Sequence, residues 1–204
     1  SSGTATARRY ASGFTPIIGF ADNRNPDFAG LHEHCAPGEH FYCGGWSGPV
    51  PAGWQLHENA KMLQMVWEAP PPATSGGLSA VPLRVNHVPA MLELVAMTNP
   101  GPFGPRTFEL GDYFGIFDGS RLVAMAGERM RAGELREISA VCTHPDHQGR
   151  GYARRLVTML IRRQVDRGEL PFLHVMQENH GARGLYARMG FREYHEIPVR
   201  VSSG

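Results

Sequence analysis

The sequence has little of what marks disulfide-rich, membrane-spanning or nucleic-acid-binding proteins. It contains only 3 cysteines in 204 residues, an odd number that is too small for a disulfide framework. It has no run of about 18 apolar residues, the length that spans a bilayer. Its 20 basic and 19 acidic side chains leave a net charge of +1, which argues against nucleic-acid binding by the whole domain. These absences favour a cytoplasmic protein without nucleic-acid or membrane partners.

Proline is scarce in the second half of the chain. Thirteen of the 16 prolines lie at or before Pro105, so we expect a loop-rich front half and a regular back half. The run Pro70-Pro71-Pro72 and the small residues up to Gly77 predict a connector that is first stiff and then flexible. We therefore expect a β-rich N-terminal segment with its linker over residues 1–77, interpretable as a degenerate half-domain, and a second domain over 78–204.

Hydrophobic periodicity predicts alternating strands and helices. Residues 55–58 and 62–67 flank Glu58-Asn59-Ala60, which predicts a hairpin. Apolar positions that recur at three and four predict an amphipathic helix over 151–167, ended by Gly168. The other predicted elements are strands at 83–85, 113–117, 122–130, 135–142 and 172–176, helices at 87–97 and 179–189, and an extended stretch from Phe191. This order is typical of an α/β or α+β fold with a βαβ crossover.

The stretch from Glu137 to Ala153 carries the most chemical information. A predicted strand leads into a loop with Gly149 and Gly151, and this loop opens the long basic helix. Backbone N–H groups in such a loop bind anions, assisted by the helix dipole. A P-loop would need a lysine here, and Arg154 stands where a dinucleotide-binding fingerprint has its third glycine. The loop is therefore predicted to bind phosphates of another kind of ligand.

Two motifs in the back half are similar to those of one enzyme family. The acetyl-CoA motif Gln/Arg-x-x-Gly-x-Gly/Ala is matched by Gln148-Gly149-Arg150-Gly151-Tyr152-Ala153. A second motif is matched, at the expected distance, by Asn179-x-x-Ala182-x-x-Leu185-Tyr186-x-x-x-Gly190-Phe191. On these residues the chain resembles the GCN5-related N-acetyltransferase (GNAT) superfamily, in its FR47-like branch, over about residues 83–201. The resemblance implies a mixed, mostly antiparallel sheet, splayed at the cofactor strand and flanked by helices.

The resemblance further implies acetyl-CoA as co-substrate, no metal, and roles for individual residues. The backbone of Val141, Cys142 and Thr143 would pair with the pantetheine arm. Asn179 would hydrogen-bond the cofactor, and Tyr186 would protonate the leaving thiolate. The pyrophosphate would be held by the N–H groups of Gln148, Gly149, Arg150, Gly151, Tyr152 and Ala153.

Glu137 matches the glutamate that some members of the family use as general base through water. Strand alternation places Glu137, Ser139 and Val141 on one face, which would put the base close to the acyl site. The alternative is a structural glutamate paired with Arg129 or Arg136. For Tyr186 the alternative is a core tyrosine, while His174, in a buried strand, is interpreted as a core histidine.

The acceptor side carries weaker signals. The Pro- and Gly-rich loop from Asn99 to Thr107 occupies the place where family members shape the acceptor pocket. We expect it to hold Phe103 and Arg106 as substrate-binding residues, with Arg106 meeting an acidic group; a plain rigid connector is the alternative. The expected reaction is direct acyl transfer to a small-molecule primary amine in a ternary complex, by a monomer or homodimer.

Two other functions remain open at this point. One is a non-catalytic, regulatory acyl-CoA-binding module, and the other is aminoacyl transfer from a charged tRNA, which the lack of a basic front half weakens. The cluster His32, His34, Cys35, His40 and Cys43 has the density of a zinc site but fits no zinc spacing, so a turn-rich segment without metal is the favoured interpretation.

Overall fold

A single mixed sheet organises the protein in the computed structural model, which describes residues 1–72 and 80–204. Its strands are β1 (Ser2–Gly3), β2 (Ala7–Arg9), β3 (Ile17–Phe20), β4 (His40–Gly44), β5 (Gln55–Trp67), β6 (Val81–Pro82), β7 (Tyr113–Asp118), β8 (Arg121–Ala132), β9 (Leu135–Thr143), β10 (Leu170–Met176) and β11 (Phe191–Ser203). The α-helices are α1 (Val88–Thr98), α2 (Tyr152–Asp166) and α3 (His180–Arg188), and short 3-10 turns cover Ala29–His34, Val85–His87, Thr107–Leu110 and Pro145–His147.

The strand order across the sheet is β1-β2-β3-β4-β11-β5-β10-β9-β8-β7-β6. Neighbours are antiparallel except for the parallel pairs β3/β4 and β9/β10. Because β9 and β10 are parallel, the chain must cross over between them, and α2 forms this connection. The predicted mixed, mostly antiparallel sheet flanked by helices is confirmed.

The predicted hairpin around Glu58-Asn59-Ala60 is wrong. Residues 55–67 instead form one strand, β5, which pairs with β10 on one side and β11 on the other. Glu58, Asn59 and Ala60 stay extended because each is paired with a residue of β11, for example Ala60 with Val199. Tertiary pairing here outweighs local preference.

Two other sequence predictions concern residues 77–85. The predicted domain boundary at residues 77 and 78 falls within 73–79, outside the described residues. The strand predicted at 83–85 is wrong, because β6 covers only Val81–Pro82 and a 3-10 turn starts at Val85. Leu83 is nevertheless buried, in the cluster that α1 covers.

Helices cover both faces of the sheet. On one, here called the α2 face, the apolar side of α2 with Leu156 and Leu160 packs on Ile138 and Leu173, and α3 adds Tyr186. On the other, the α1 face, Met91 and Leu94 of α1 pack in a second cluster. The α2 cluster confirms the predicted amphipathic helix. Strands β8 and β9 lie between these layers, since both contact α1 and α2.

The N-terminal strands have an apolar cluster of their own, built around Phe41, Trp46 and Leu31. Cys43 is buried in it, and burial raises the pKa of its thiol to about 12. His40 stacks on His57 with ring centroids 4.3 Å apart. Within residues 1–72 and 80–204 no group of three or more potential metal ligands comes together, and no helix is long and apolar enough to cross a membrane.

A buried carboxylate ties β8, β9 and α2 together. Glu128 accepts hydrogen bonds from Nε and Nη2 of Arg136, at 3.1 and 3.0 Å, and from Nε2 of Gln164 at 3.0 Å. Arg167, just after α2, also donates to it. Burial alone would raise the pKa of Glu128, but hydrogen bonds from Arg167 and Gln164 and the charge of Arg136 lower it overall.

Candidate active site

The sheet opens between β9 and β10. The two strands pair in parallel from Leu135 and Leu170 as far as Ile138 and Leu173. Beyond this point β10 continues along β5, while the end of β9 pairs, within residues 1–72 and 80–204, only with β8, Cys142 opposite Met125. In this part of the chain one backbone edge of residues 141–143 is therefore without a strand partner, as expected for a site that takes an extended ligand arm.

A β-bulge lies at the start of this free edge. Ala140 has φ of +51°, and the pairing of β9 with β8 shifts register between Ser139 and Cys142. Before the bulge, Ile138 packs on the α2 face; after it, Ala140 and Cys142 pack on the α1 face and Val141 on the α2 face. The prediction that Glu137, Ser139 and Val141 share one face is therefore wrong, because the extra residue reverses the alternation.

The glycine loop has the geometry of an anion site. Gly149 and Gly151 have φ of +75° and +74°, and no atom lies within 4 Å of where their side chains would start. Among described residues, the backbone N–H groups of residues 149–151 have no hydrogen-bond partner, and α2 begins at Tyr152 with its own free N–H groups. The N–H of Gln148 is already bonded to the Pro145 carbonyl, at 3.2 Å.

Asn179 caps helix α3. Its Oδ1 accepts a hydrogen bond from the N–H of Ala182 at 3.0 Å, which satisfies one free donor of the helix start. Its Nδ2 donates to none of the described residues. The cap orients this side chain, so the predicted bond to the cofactor would come from Nδ2.

Tyr186 lies on the α2 face near the splay, the gap that opens between β9 and β10 beyond Ile138 and Leu173. Its ring is buried against Phe191, with centroids 5.8 Å apart, and its hydroxyl bonds to none of the described residues. Burial, with a smaller contribution from the nearby Cys142 thiol, raises the pKa of Tyr186 to about 12. The hydroxyl therefore keeps its proton at neutral pH and is near the free end of β9.

Glu137 is fixed by two partners on the α1 face. Its carboxylate accepts from Nε and Nη2 of Arg129, at 2.9 and 2.7 Å, and its Oε1 lies 2.9 Å from Nδ1 of His174. The side chain is 1% exposed. Burial alone would raise the pKa of Glu137, but Arg129 and His174 lower it to about 2. A general base works best with a pKa near the operating pH, so this arrangement does not support Glu137 as the base.

Comparison with known proteins identifies the family. Residues 113–200 match the family model described as FR47-like protein. A crystal structure from Novosphingobium aromaticivorans, assigned to the GNAT acetyltransferases, is 33% identical, covers 98% of this chain and 89% of its own, and superposes with a TM-score of 0.88. The chain belongs to the GCN5-related N-acetyltransferase (GNAT) family. No curated protein matches it.

More distant GNAT structures share the fold alone. A GCN5-related N-acetyltransferase from Kribbella flavida is 16% identical over 96% of this chain and 89% of its own, with a TM-score of 0.58. The ribosomal-protein-S18-alanine N-acetyltransferase of Escherichia coli is 20% identical over 60% of this chain and 91% of its own, with a TM-score of 0.52.

The loop from Asn99 to Thr107 lies on the α1 face of this GNAT protein, beside the Glu137 and Arg129 pair. The Pro102 carbonyl accepts from Nη1 of Arg129 at 3.5 Å and from Oγ1 of Thr15 at 2.9 Å. Phe103 packs edge-on against Tyr113, with centroids 5.8 Å apart. The predicted wall of the acceptor side thus adjoins the splay and is held in place by the N-terminal segment.

Arg106 is engaged within the protein. It donates to Glu109 from Nε and Nη2, at 2.9 and 2.8 Å, and its guanidinium lies 4.4 Å from the centre of the Phe14 ring. Its backbone N–H donates to the Gly13 carbonyl at 2.7 Å. These contacts fasten the loop to the N-terminal segment and leave the predicted bond to an acidic acceptor without support.

The structure places His174 and Tyr10 beside Glu137, which the sequence did not predict. His174 contacts Glu137 only because β9 and β10 are parallel neighbours, and Tyr10 lies close enough to Glu137 and Arg129 for their charges to act on it. The one local signal was a histidine in an otherwise apolar strand.

Gly151 offers a test of the cofactor loop. Gly151→Ala should weaken coenzyme A binding at least tenfold, about 1.4 kcal/mol, because the new methyl group fills the space in front of the free N–H groups. Gly168→Ala is the matched control, since Gly168 has φ of +72° and similar open space after the far end of α2. Both should lose about 1–2 kcal/mol of stability. Calorimetric titration with coenzyme A checks the affinity, and equal weakening in both variants would contradict the assignment.

Proposed function

We propose that this GNAT protein transfers the acyl group of acetyl-CoA to a primary amine of a small molecule, directly within a ternary complex. The observation that carries the proposal is the free edge of β9 at the splay, which runs from the bulge at Ala140 towards the open glycine loop before α2. On this proposal, the free edge would take the pantetheine arm and the glycine loop would take the pyrophosphate.

The backbone of Val141, Cys142 and Thr143 would pair with the pantetheine arm along the unpartnered edge. The N–H groups from Gly149 to Ala153 would hold the pyrophosphate, and Nδ2 of Asn179 would donate to the cofactor. Backbone N–H groups at the bulge would stabilise the oxyanion that forms on the thioester carbonyl. No step needs a metal ion in this scheme, because the acyl donor is already activated as a thioester.

Tyr186 would assist departure of the thiolate. An ordinary thiol has a pKa near 8.5, whereas burial raises the pKa of Tyr186 to about 12. Full proton transfer from Tyr186 to an ordinary thiolate is therefore uphill, and hydrogen-bond donation to the developing charge on sulfur is the larger part of its role.

A small-molecule acceptor is supported by the loop that is held against the α1 face beside Glu137 and Arg129. The loop carrying Pro102 and Phe103 is fastened to Gly13, Phe14 and Thr15 of the N-terminal segment. The Pro102 carbonyl of the same loop accepts from Nη1 of Arg129, so the loop lies directly beside the Glu137 and Arg129 pair. We therefore expect a compact amine, rather than a folded protein, to reach this side of the sheet.

The test combines binding with turnover. Coenzyme A is titrated by calorimetry, and thiol release from acetyl-CoA is then measured with a panel of small primary amines. We expect micromolar binding and amine-dependent thiol release. Binding with no release for any amine would favour the regulatory acyl-CoA-binding module, and absence of binding would reject the cofactor site altogether.

A further inference from the structure

We infer that His174 is the general base of the transfer, positioned by Glu137 and Arg129. The inference rests on the proposed function. It assigns the proton-accepting step to a residue of β10 and gives the carboxylate of β9 a supporting role.

The contact between His174 and Glu137 determines which ring nitrogen is free. Nδ1 of His174 lies 2.9 Å from Oε1 of Glu137, and an ionised carboxylate only accepts hydrogen bonds, so Nδ1 carries the proton. In the neutral ring, Nε2 then has the free lone pair. Nε2 bonds to none of the described residues, and the side chain remains 13% exposed.

Glu137 itself is unsuited to accept the proton but well suited to hold the histidine. Both of its oxygens bind Arg129, whose guanidinium is itself buried. Arg129 therefore compensates the negative charge and fixes the carboxylate plane. A histidine whose Nδ1–H donates to such a carboxylate is held in one tautomer and one orientation.

The position of His174 within the sheet matches the role. It is the first residue of β10 after the last parallel pair, Leu173 with Ile138, so it lies where the splay begins. Leu173 and Val175 pack on the α2 face, and His174 points to the other side with Glu137. That side also holds the acceptor loop at Pro102. The amine is therefore expected to reach the thioester from the face on which Nε2 is free.

The proposed step balances as follows. The amine lone pair forms a C–N bond with the thioester carbon, and the nitrogen passes one proton to Nε2 of His174. The C–S bond breaks with its electron pair on sulfur, which accepts a hydrogen bond from the Tyr186 hydroxyl and takes a proton from a water molecule. His174 then passes its proton to the hydroxide that this leaves, so the products are the amide and coenzyme A.

His174→Gln is the principal test. The amide can still donate to Glu137, so the fold and coenzyme A affinity should be kept, whereas kcat should fall about 100-fold. His57→Gln is the matched control, because His57 also sits on a strand and one of its ring nitrogens bonds to a side chain, Ser203 at 2.8 Å, in a distant part of the sheet. It should keep wild-type kcat and the same acceptor KM.

The pH profile gives a readout that a structural role would not move. Among the described residues, the charged or titratable groups around His174 are Glu137 on β9, Arg129 on β8, and the tyrosines Tyr10 and Tyr113 (on β7), on which the charges of both act. Its cross-strand neighbour on β5 is Gln64. In wild type, kcat/KM should fall towards acid pH, because a general base must be unprotonated to accept the amine proton. This limb should disappear in His174→Gln, and imidazole should restore part of kcat in His174→Ala.

Glu137→Gln separates the two assignments. If Glu137 only positions His174, this variant keeps the acid limb and part of kcat. Three results would each overturn the inference. His174→Gln could keep the wild-type kcat, the acid limb could be lost in Glu137→Gln alone, or imidazole could fail to rescue a folded His174→Ala. A wild-type protein that binds coenzyme A but releases no thiol would instead reject the proposed function, and this inference with it.

Discussion

Tyr186→Phe should lower kcat about 100-fold without changing the affinity for coenzyme A. The variant removes one hydroxyl and leaves the buried ring in contact with Phe191. Removing a single donor to a developing negative charge in a buried site typically costs 10²–10³ in kcat. The pantetheine and pyrophosphate contacts proposed here use backbone groups, so they are untouched.

The measurement is single-turnover thiol release, alongside calorimetric titration with coenzyme A. Tyr42→Phe is the control, because Tyr42 is a half-buried tyrosine on β4, away from the splay, whose pKa burial also raises. It should behave as wild type in both assays. Full turnover by Tyr186→Phe would remove this residue from the mechanism, and equal losses in both variants would point to stability.

Glu128→Ala should lower the free energy of unfolding by about 3 kcal/mol, since breaking a buried ion pair by removing one partner is costly. Arg136 and Gln164 would lose their hydrogen-bond acceptor between β8, β9 and α2, while Arg167 keeps Glu169 as a partner. For a chain of this size, the change corresponds to a Tm about 6–12 °C lower. Chemical denaturation and thermal melting check the value.

Glu109→Ala is the control for that prediction. Glu109 also pairs with an arginine, Arg106, but on the surface, where ion pairs contribute little. We expect a marginal change for it. Similar losses in the two variants would contradict the assignment of stability to burial of Glu128.

The same carboxylate makes stability depend on pH. The folded-state pKa of Glu128 is below its ordinary value, so the unfolded chain takes up a proton first as the pH falls. The contribution is complete above about pH 4.3, the unfolded value, and declines below it. Glu128→Ala should therefore lose less stability than wild type between neutral and acid pH.

The glycine loop before α2 and the start of α3 were predictable because their signals are local. Gly149 and Gly151 take positive φ in a loop between a strand and a helix. Because glycine adopts positive φ most readily, the loop is recognisable from two glycines at a fixed spacing. Asn179 begins a helix, as its side-chain chemistry favours. Helix α2 follows directly from apolar residues repeated at three and four.

The acceptor and proton-transfer side was not predictable to the same degree. The hairpin predicted around Asn59 became part of one strand because β10 and β11 are its partners. The bulge at Ala140 reversed the alternation on which the position of Glu137 relative to Val141 had been predicted. Arg106 turned towards Glu109 and Phe14, which are contacts the spacing alone did not indicate for it.

By itself, the sequence determined that this chain has the cofactor motifs of a GNAT acetyltransferase, since those motifs depend on backbone conformation and capping within a few residues. Only the tertiary structure decided which side chains lie together on the other face of the sheet. Strand neighbours come from distant parts of the chain, so the pairing of Glu137 with Arg129 and His174 depends on sheet order and register. These long-range pairings leave no periodic trace in either strand, and for that reason the proton-accepting side became visible only in the fold.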